Sequence, residues 1–212
     1  EKLDYETLDV EELTQREHFA EHDRGTFNAV IDAAQKLAIE EFEPHAAELD
    51  ANEPILENGK VTIIPQVKQA LDRFSEGGFM GATMDFEHGG MQLPAVVAQA
   101  CNAYFNAANL STMAYPFITV AATNVLAAFG SDVQKERYLG PMVEGRFFGT
   151  MALSEPQAGS SLSDIRTKAT PTDDDHYLIS GNKMWISAAE HELSDNIVHL
   201  VLTKLPDGPP GV

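Results

Sequence analysis

A chain of 212 residues with 43% apolar side chains is long enough for one large or two small domains around a sizeable core, and its mean hydropathy of −0.20 is that of a globular protein. A formal net charge of −19 excludes nucleic acid as the main ligand, because phosphates demand clustered Lys and Arg, and it weighs equally against anionic membranes. Cys101 is the only cysteine, so no intrachain disulfide can form, which fits a reducing, cytoplasmic setting.

Residues 1–25 are polar, richer in acids than in bases and weakly patterned, and read as an extension with at most one short helix. No basic stretch followed by an apolar one marks a secretory signal there. His18 and His22 are four apart, but no third ligand lies nearby, so no metal is expected. From Thr26 as N-cap, the residues Phe27, Val30, Ile31, Ala34, Leu37, Ala38 and Phe42 fall on one helical face that Pro44 ends. Residues 43–62 are acidic and proline-bearing, hence a loop. A second helix follows Pro65, with Val67, Ala70, Leu71 and Phe74 inward and Gly77-Gly78 as its stop. The glycine-rich connection after it contains Asp85 and His88, which are read as turn formers and not as a catalytic pair.

A third helix from Pro94 is expected to bury Val96, Val97, Ala100, Cys101, Tyr104 and Phe105, with the thiol inert. The stretch 111–130 carries no charge, yet Pro116, Thr119, Thr123 and Asn124 make membrane insertion costly, so it reads as a buried bundle helix and not as a span. Ser131 opens a capping box with Gln134, and a short helix runs to Leu139 before Gly140-Pro141 stops it. At Phe147 the apolar period changes from 3.6 to two. Ile165, Thr167 and Ala169 alternate inward, 176–180 and 183–187 flank a Gly181-Asn182 hairpin turn, and 197–204 forms another apolar run.

Helices first and strands after, without βαβ alternation, predict an α+β fold: a polar extension (1–25), an all-α helical bundle (26–146) and the start of an antiparallel β domain (147–212). No Rossmann or P-loop glycine pattern is present. Because the sequence stops at Pro209-Pro-Gly-Val212 amid strands, an incomplete β domain is expected.

Two stretches carry the chemistry. Met151-Ala-Leu-Ser-Glu-Pro-Gln-Ala-Gly-Ser-Ser161 reads as a strand breaking into a turn that offers the Ser154, Ser160 and Ser161 hydroxyls. In it, Gly159 removes a Cβ that would hold a polar ligand away from backbone N–H groups. In Lys183-Met-Trp-Ile-Ser187, strand period two would place the Trp185 plate and the Ser187 hydroxyl on one face. A flat heteroaromatic ring with a phosphate tail would use all of these parts, whereas a core tryptophan and a self-satisfied serine turn are the plainer alternative. Arg166 and Lys168 follow the bend and are either phosphate partners or solvated surface charge.

Together these stretches resemble the two flavin-contacting signatures of the acyl-CoA dehydrogenases, in the family's order and spacing, and the resemblance runs from about Thr26 to the end. The branch resembled most is the bacterial 3-methylmercaptopropionyl-CoA dehydrogenase group. The chain departs from the common pattern at Met151 (aromatic in the family), Ser154 (threonine), Ser161 (aspartate) and Ser187 (threonine). The resemblance implies FAD as cofactor, held by Met151, Leu153, Ser154, Gly159, Ser160, Trp185, Ile186 and Ser187, with Ser160 also near substrate. It implies α,β-dehydrogenation of an acyl-CoA thioester, an electron-transfer flavoprotein or similar acceptor, and a homo-oligomer.

The family's general base is a glutamate in a C-terminal helical domain, so no catalytic residue is expected in this chain; Glu155, followed by proline, does not match it. These residues alone are accordingly expected to bind FAD weakly or not at all and not to turn over. An acyl-CoA oxidase-like relative and a non-catalytic helical binding module are the other two readings.

Overall fold

The computed structural model describes residues 2–208, and the expected chain end at 209–212 lies outside them. The helical part is organised on α4 (Ala95–Phe129), against which α1 (Arg24–Leu37), α2 (Ala46–Ala51) and α3 (Pro65–Glu76) pack. Helix α1 begins three residues earlier than Thr26 implies. Asp23 is the N-cap, and its carboxylate accepts from the Thr26 backbone N–H at 2.6 Å and from the Thr26 hydroxyl at 2.8 Å. Pro44 does not end the helical path: the chain continues as a π-turn over 38–42, then a 3₁₀-turn that takes the proline near its first position, then α2.

Residues 43–62 are more ordered than a loop. Asn58 and Gly59 both adopt positive φ, as a type I′ turn requires, and close an antiparallel hairpin of β1 (Ile55–Glu57) on β2 (Lys60–Thr62). Helix α3 has the expected bounds, and Val67, Ala70, Leu71 and Phe74 are buried as its stripe predicts. They join Phe42, Phe79 and Phe105 in the main core.

Helix α4 fuses the two helices expected on either side of residue 110. It bends at Asn109, whose φ of −160° and ψ of 91° are not helical. The bend is held by polar groups: the Asn109 amide donates to the Phe42 carbonyl at 3.2 Å, and its carbonyl oxygen accepts from the Thr112 N–H at 3.0 Å, capping the second half from inside. His45 pairs with the Thr112 hydroxyl at 2.9 Å behind it. In the first half Cys101 and Phe105 are buried, whereas Tyr104 is exposed and borders a surface groove. Burial raises the Cys101 thiol to about 11, which leaves it protonated and inert. By length and composition α4 could cross a membrane, but one face is buried in the protein and the other leaves Leu110, Phe117 and Phe129 exposed, so it is half covered and not the enclosed central helix expected.

The Ser131–Gln134 capping box forms as predicted. Helix continues past Gly140, because Pro141 sits in the first turn of a further short helix ending at Val143, where a proline needs no N–H donor. The segment before α1 is not a bare extension. It forms three helical turns, and Val10 is buried against Phe27, Leu93 and Val97.

At Phe147 strand β3 (Phe147–Ala152) begins, and it pairs in parallel, not antiparallel, with β6 (Asn196–Val201). Strand β3 lies directly on α4: the Gly149 N–H donates to the Thr119 hydroxyl at 3.0 Å, and a Cβ at Gly149 would meet that of Ala122 at 2.7 Å. This close approach explains the glycine. Phe148 and Leu193 enter the helical core, so one apolar interior serves both layers. The sequence hairpin at Gly181-Asn182 is not formed. Strand β5 (Tyr177–Ser180) pairs back with β4 (Lys168–Pro171), and 183–187 is irregular. Positive φ at Trp185 (60°) and Ala188 (55°) is incompatible with a strand there. The inward alternation of Ile165, Thr167 and Ala169 holds.

Candidate functional site

Strand β3 ends at Ala152, and the chain leaves it through Leu153 and Ser154 into a tight turn closed by reciprocal backbone bonds between Glu155 and Ala158 (2.8 and 3.0 Å). The second segment is brought beside it. The Met184 N–H donates to the Ser154 carbonyl at 3.0 Å, which places Trp185 one residue from the bend. Strand geometry does not put Trp185 and Ser187 on a common face, since the segment is not a strand; adjacency to the bend is created by this backbone bond instead.

Trp185 is 84% exposed and holds a left-handed backbone, an unusual state for a large side chain. The indole is therefore not a core residue. Met151, Leu153, Ser154 and Ile186 are half-buried, while Gly159, Ser160 and Ser187 are exposed. Among the described residues none hydrogen-bonds the hydroxyls of Ser154, Ser160 or Ser187. Ser161 is different: its hydroxyl donates to the Asp164 carboxylate at 2.8 Å. A carboxylate thus sits three residues after the position where the family pattern has one. A Cβ added at Gly159 meets nothing within 4 Å, and Gly159 is not among the positive-φ glycines, so neither packing nor backbone conformation demands a glycine there.

These observations answer whether a flavin fits. An open aromatic face and the Ser187 hydroxyl on one segment, with two uncommitted hydroxyls and a bare glycine in the adjoining bend, are what a planar heteroaromatic ring and a phosphate tail would engage. Ser187 and Ala188 also line a groove of about 290 Å³ together with Ser111, Ala114 and Tyr115 of α4. Arg166 and Lys168 point to solvent near the bend. Asp85 and His88 are not a pair: the Asp85 carboxylate lies 3.6 Å from His18 and His88 is 3.7 Å from Glu87. Nor do His18 and His22 act together, since His22 Nε2 donates to the Gln92 carbonyl at 3.1 Å.

Sequence reasoning undervalued one pair, Glu155 and Lys183, the two charged residues inside otherwise apolar or hydroxylic signatures. Glu155 is buried and Lys183 mostly so, and Lys183 Nζ lies 2.9 Å from Glu155 Oε1. Burial alone would raise the carboxyl, but hydrogen bonds from Thr167, Arg166 and Lys183 outweigh it and hold Glu155 well below the usual carboxylate range. Such a carboxylate is too weak a base to take a proton from carbon.

The segment after Ser187 carries a second buried titratable group. His191 packs edge-on against Tyr115 and Phe148 (5.4 and 5.5 Å between ring centroids), and its Nδ1 accepts from the Leu193 N–H at 3.2 Å. Its buried Nε2 has no partner among the described residues. Burial lowers its pKa to about 4, and burial moves His45 in the same direction. Because the folded value is depressed, the contribution of His191 is fully present above an unfolded value of about 6.5 and is lost as the pH falls toward 4. Thermal midpoints should fall between pH 7 and 5, and His191→Phe should flatten that fall; an identical pH dependence in the variant would remove His191 as its cause.

A mainly helical layer around one bent helix, followed by short sheets from which a serine-lined bend leads off, is an α+β architecture. Residues 26–146 match the acyl-CoA dehydrogenase N-terminal domain and residues 150–210 match its middle domain, so the chain belongs to the acyl-CoA dehydrogenase family. It is 44% identical over 185 residues to 3-methylmercaptopropionyl-CoA dehydrogenase of Ruegeria pomeroyi, covering 84% of this chain and 32% of that one. Among solved structures it is similar to glutaryl-CoA dehydrogenase of Mycobacterium smegmatis (TM-score 0.71, 24% identity, 86% of this chain and 43% of that one). It is also similar to an acyl-CoA dehydrogenase of Bacillus anthracis complexed with FAD (TM-score 0.69, 24% identity, 87% and 30%). These likenesses show the fold, and the chain spans about a third of the length of its curated relative.

Proposed function

We propose that this chain supplies the helical layer and one flavin wall of an FAD-dependent acyl-CoA dehydrogenase. The observation that carries the proposal is the exposed Trp185 indole, tied by the Met184–Ser154 bond to a bend whose Ser154 and Ser160 hydroxyls are uncommitted. FAD, when bound, would supply the acceptor for the hydride, with its two electrons, that leaves Cβ of an acyl-CoA thioester as the proton leaves Cα.

The chain's own residues bind and orient. Trp185 and Ile186 cover the ring system, Leu153 and Ser154 meet its polar edge, and Ser187 donates from beside the groove. Gly159 and Ser160 face the pyrophosphate, with Ser160 also reaching substrate. Hydrogen bonds of this kind contribute about 1 to 3 kcal/mol each when well buried, so retention needs several together.

The proton on Cα must be taken by a carboxylate other than Glu155, whose oxygens are occupied by N–H donors and a lysine. We place that base in a glutamate beyond these residues. An electron-transfer flavoprotein as acceptor belongs to the same proposal, as does a homo-oligomeric assembly, which is supported by the apolar face that α4 leaves uncovered at Leu110, Phe117 and Phe129. The test is anaerobic addition of an acyl-CoA to the full-length protein reconstituted with FAD. Loss of the flavin's visible absorbance with formation of the enoyl-CoA is expected; FAD that stays oxidised with every acyl-CoA tried would contradict the proposal.

A further inference from the structure

Three segments of the β side meet at one buried point. The Lys183 side chain is 11% exposed, and its Nζ donates to the Leu153 carbonyl and to Glu155 Oε1, each at 2.9 Å. Glu155, 2% exposed, also accepts from the Thr167 N–H at 3.0 Å, the Arg166 N–H at 2.6 Å and the Gln157 amide at 2.7 Å. Its two oxygens are therefore filled by four donors, and the carboxylate is committed to the strand end, to 166–167 and to the stretch before Trp185.

Every one of these ties lies within two residues of a flavin-wall residue. Leu153 and Ser154 flank the carbonyl that Lys183 holds, and Trp185 is two residues beyond the lysine. Trp185 itself has little to hold it: the indole is exposed, the backbone is left-handed and no ladder runs through 183–187. What fixes its height above the bend is the Met184–Ser154 backbone bond and, beneath it, the lysine anchor.

A buried ion pair is a poor source of net stability, because removing two charges from water offsets most of their attraction. Its value is directional: two charged groups with shared acceptors admit one spacing between their segments. We propose that Lys183 and Glu155 are positioning residues that set the distance between the Trp185 plate and the Ser154–Ser160 bend, and through it the affinity for FAD. This rests on the flavin reading above and adds to it a specific cause for the wall's geometry.

The test uses full-length protein in wild-type, Lys183→Met and Lys183→Arg forms. FAD dissociation constants, visible circular dichroism of bound FAD, and hydrogen exchange at the Met184 amide in the FAD-free protein are measured. Lys183→Met should weaken FAD binding about 10- to 100-fold, change the flavin's dichroism and speed exchange at Met184, and it should also lower the unfolding midpoint of the FAD-free protein, because the Glu155 carboxylate loses its cation. Lys183→Arg, which keeps the charge and can reach both acceptors, should restore most of the affinity. Should Lys183→Met fail to fold, Lys183→Gln carries the same test, keeping a donor but no charge. Wild-type affinity and dichroism in the uncharged variant would overturn the positioning role while leaving the flavin reading intact. A wild-type protein that takes up no FAD would overturn both.

Discussion

Replacing Phe105 by alanine is expected to destabilise the chain by about 3 to 5 kcal/mol, the range for a fully enclosed aromatic side chain. Phe105 has no exposed surface, and its ring lies 5.0 Å from Phe42, 4.9 Å from Phe74 and 5.1 Å from Phe79, so four elements lose their common contact at once. The cavity cannot collapse readily because the surrounding rings brace one another and Cys101 and Met113 close the same cluster. Denaturant unfolding followed by far-ultraviolet dichroism measures the effect; a loss under about 1 kcal/mol, the scale of an ordinary surface-to-intermediate change, would show that the aromatic cluster is not the core.

Trp185→Ala should do the opposite. An 84% exposed indole contributes little packing, so the change in folding stability is expected to stay within about 0.5 kcal/mol. FAD affinity of the full-length protein should fall about 10- to 100-fold, equivalent to about 1.4 to 2.8 kcal/mol. Separating the two effects is the point: a core tryptophan would cost stability in the absence of FAD, and a ligand plate would not. Unfolding of the FAD-free variant at much lower denaturant would mean that the indole serves the fold.

What the sequence made legible follows from which forces are local. The α3 stripe, the Ser131–Gln134 box and the inward alternation of Ile165, Thr167 and Ala169 depend on period and on caps a few residues apart, and they are present as read. The α1 start was misplaced because Asp23 competes with Thr26 for the cap, and the structure uses both, the aspartate as acceptor and the threonine as donor. Asn58-Gly59 was a readable turn signal lost inside an acidic, proline-bearing stretch.

The errors on the β side are non-local. Tyr177–Ser180 pairs back with Lys168–Pro171, while Lys183 bonds the Leu153 carbonyl and Glu155 at the strand end, a contact between residues about 30 apart that periodicity does not reveal. The parallel match of β3 with β6 is likewise invisible in periodicity, since both are apolar runs of equal length. For the candidate site, Ser154, Gly159, Ser160, Trp185 and Ser187 were readable as a motif, and their contact with FAD is a proposal that rests on it. The means of bringing them together, one backbone bond and one buried ion pair, was not readable.

The most direct measurement is a titration of FAD into the full-length protein, following tryptophan emission in wild-type and in Trp185→Phe. Saturable quenching at one FAD per chain in the wild type, with the Trp185-dependent part absent from the variant, is the predicted outcome. Emission from Trp185 that stays constant while FAD binds would place the flavin elsewhere and contradict the account.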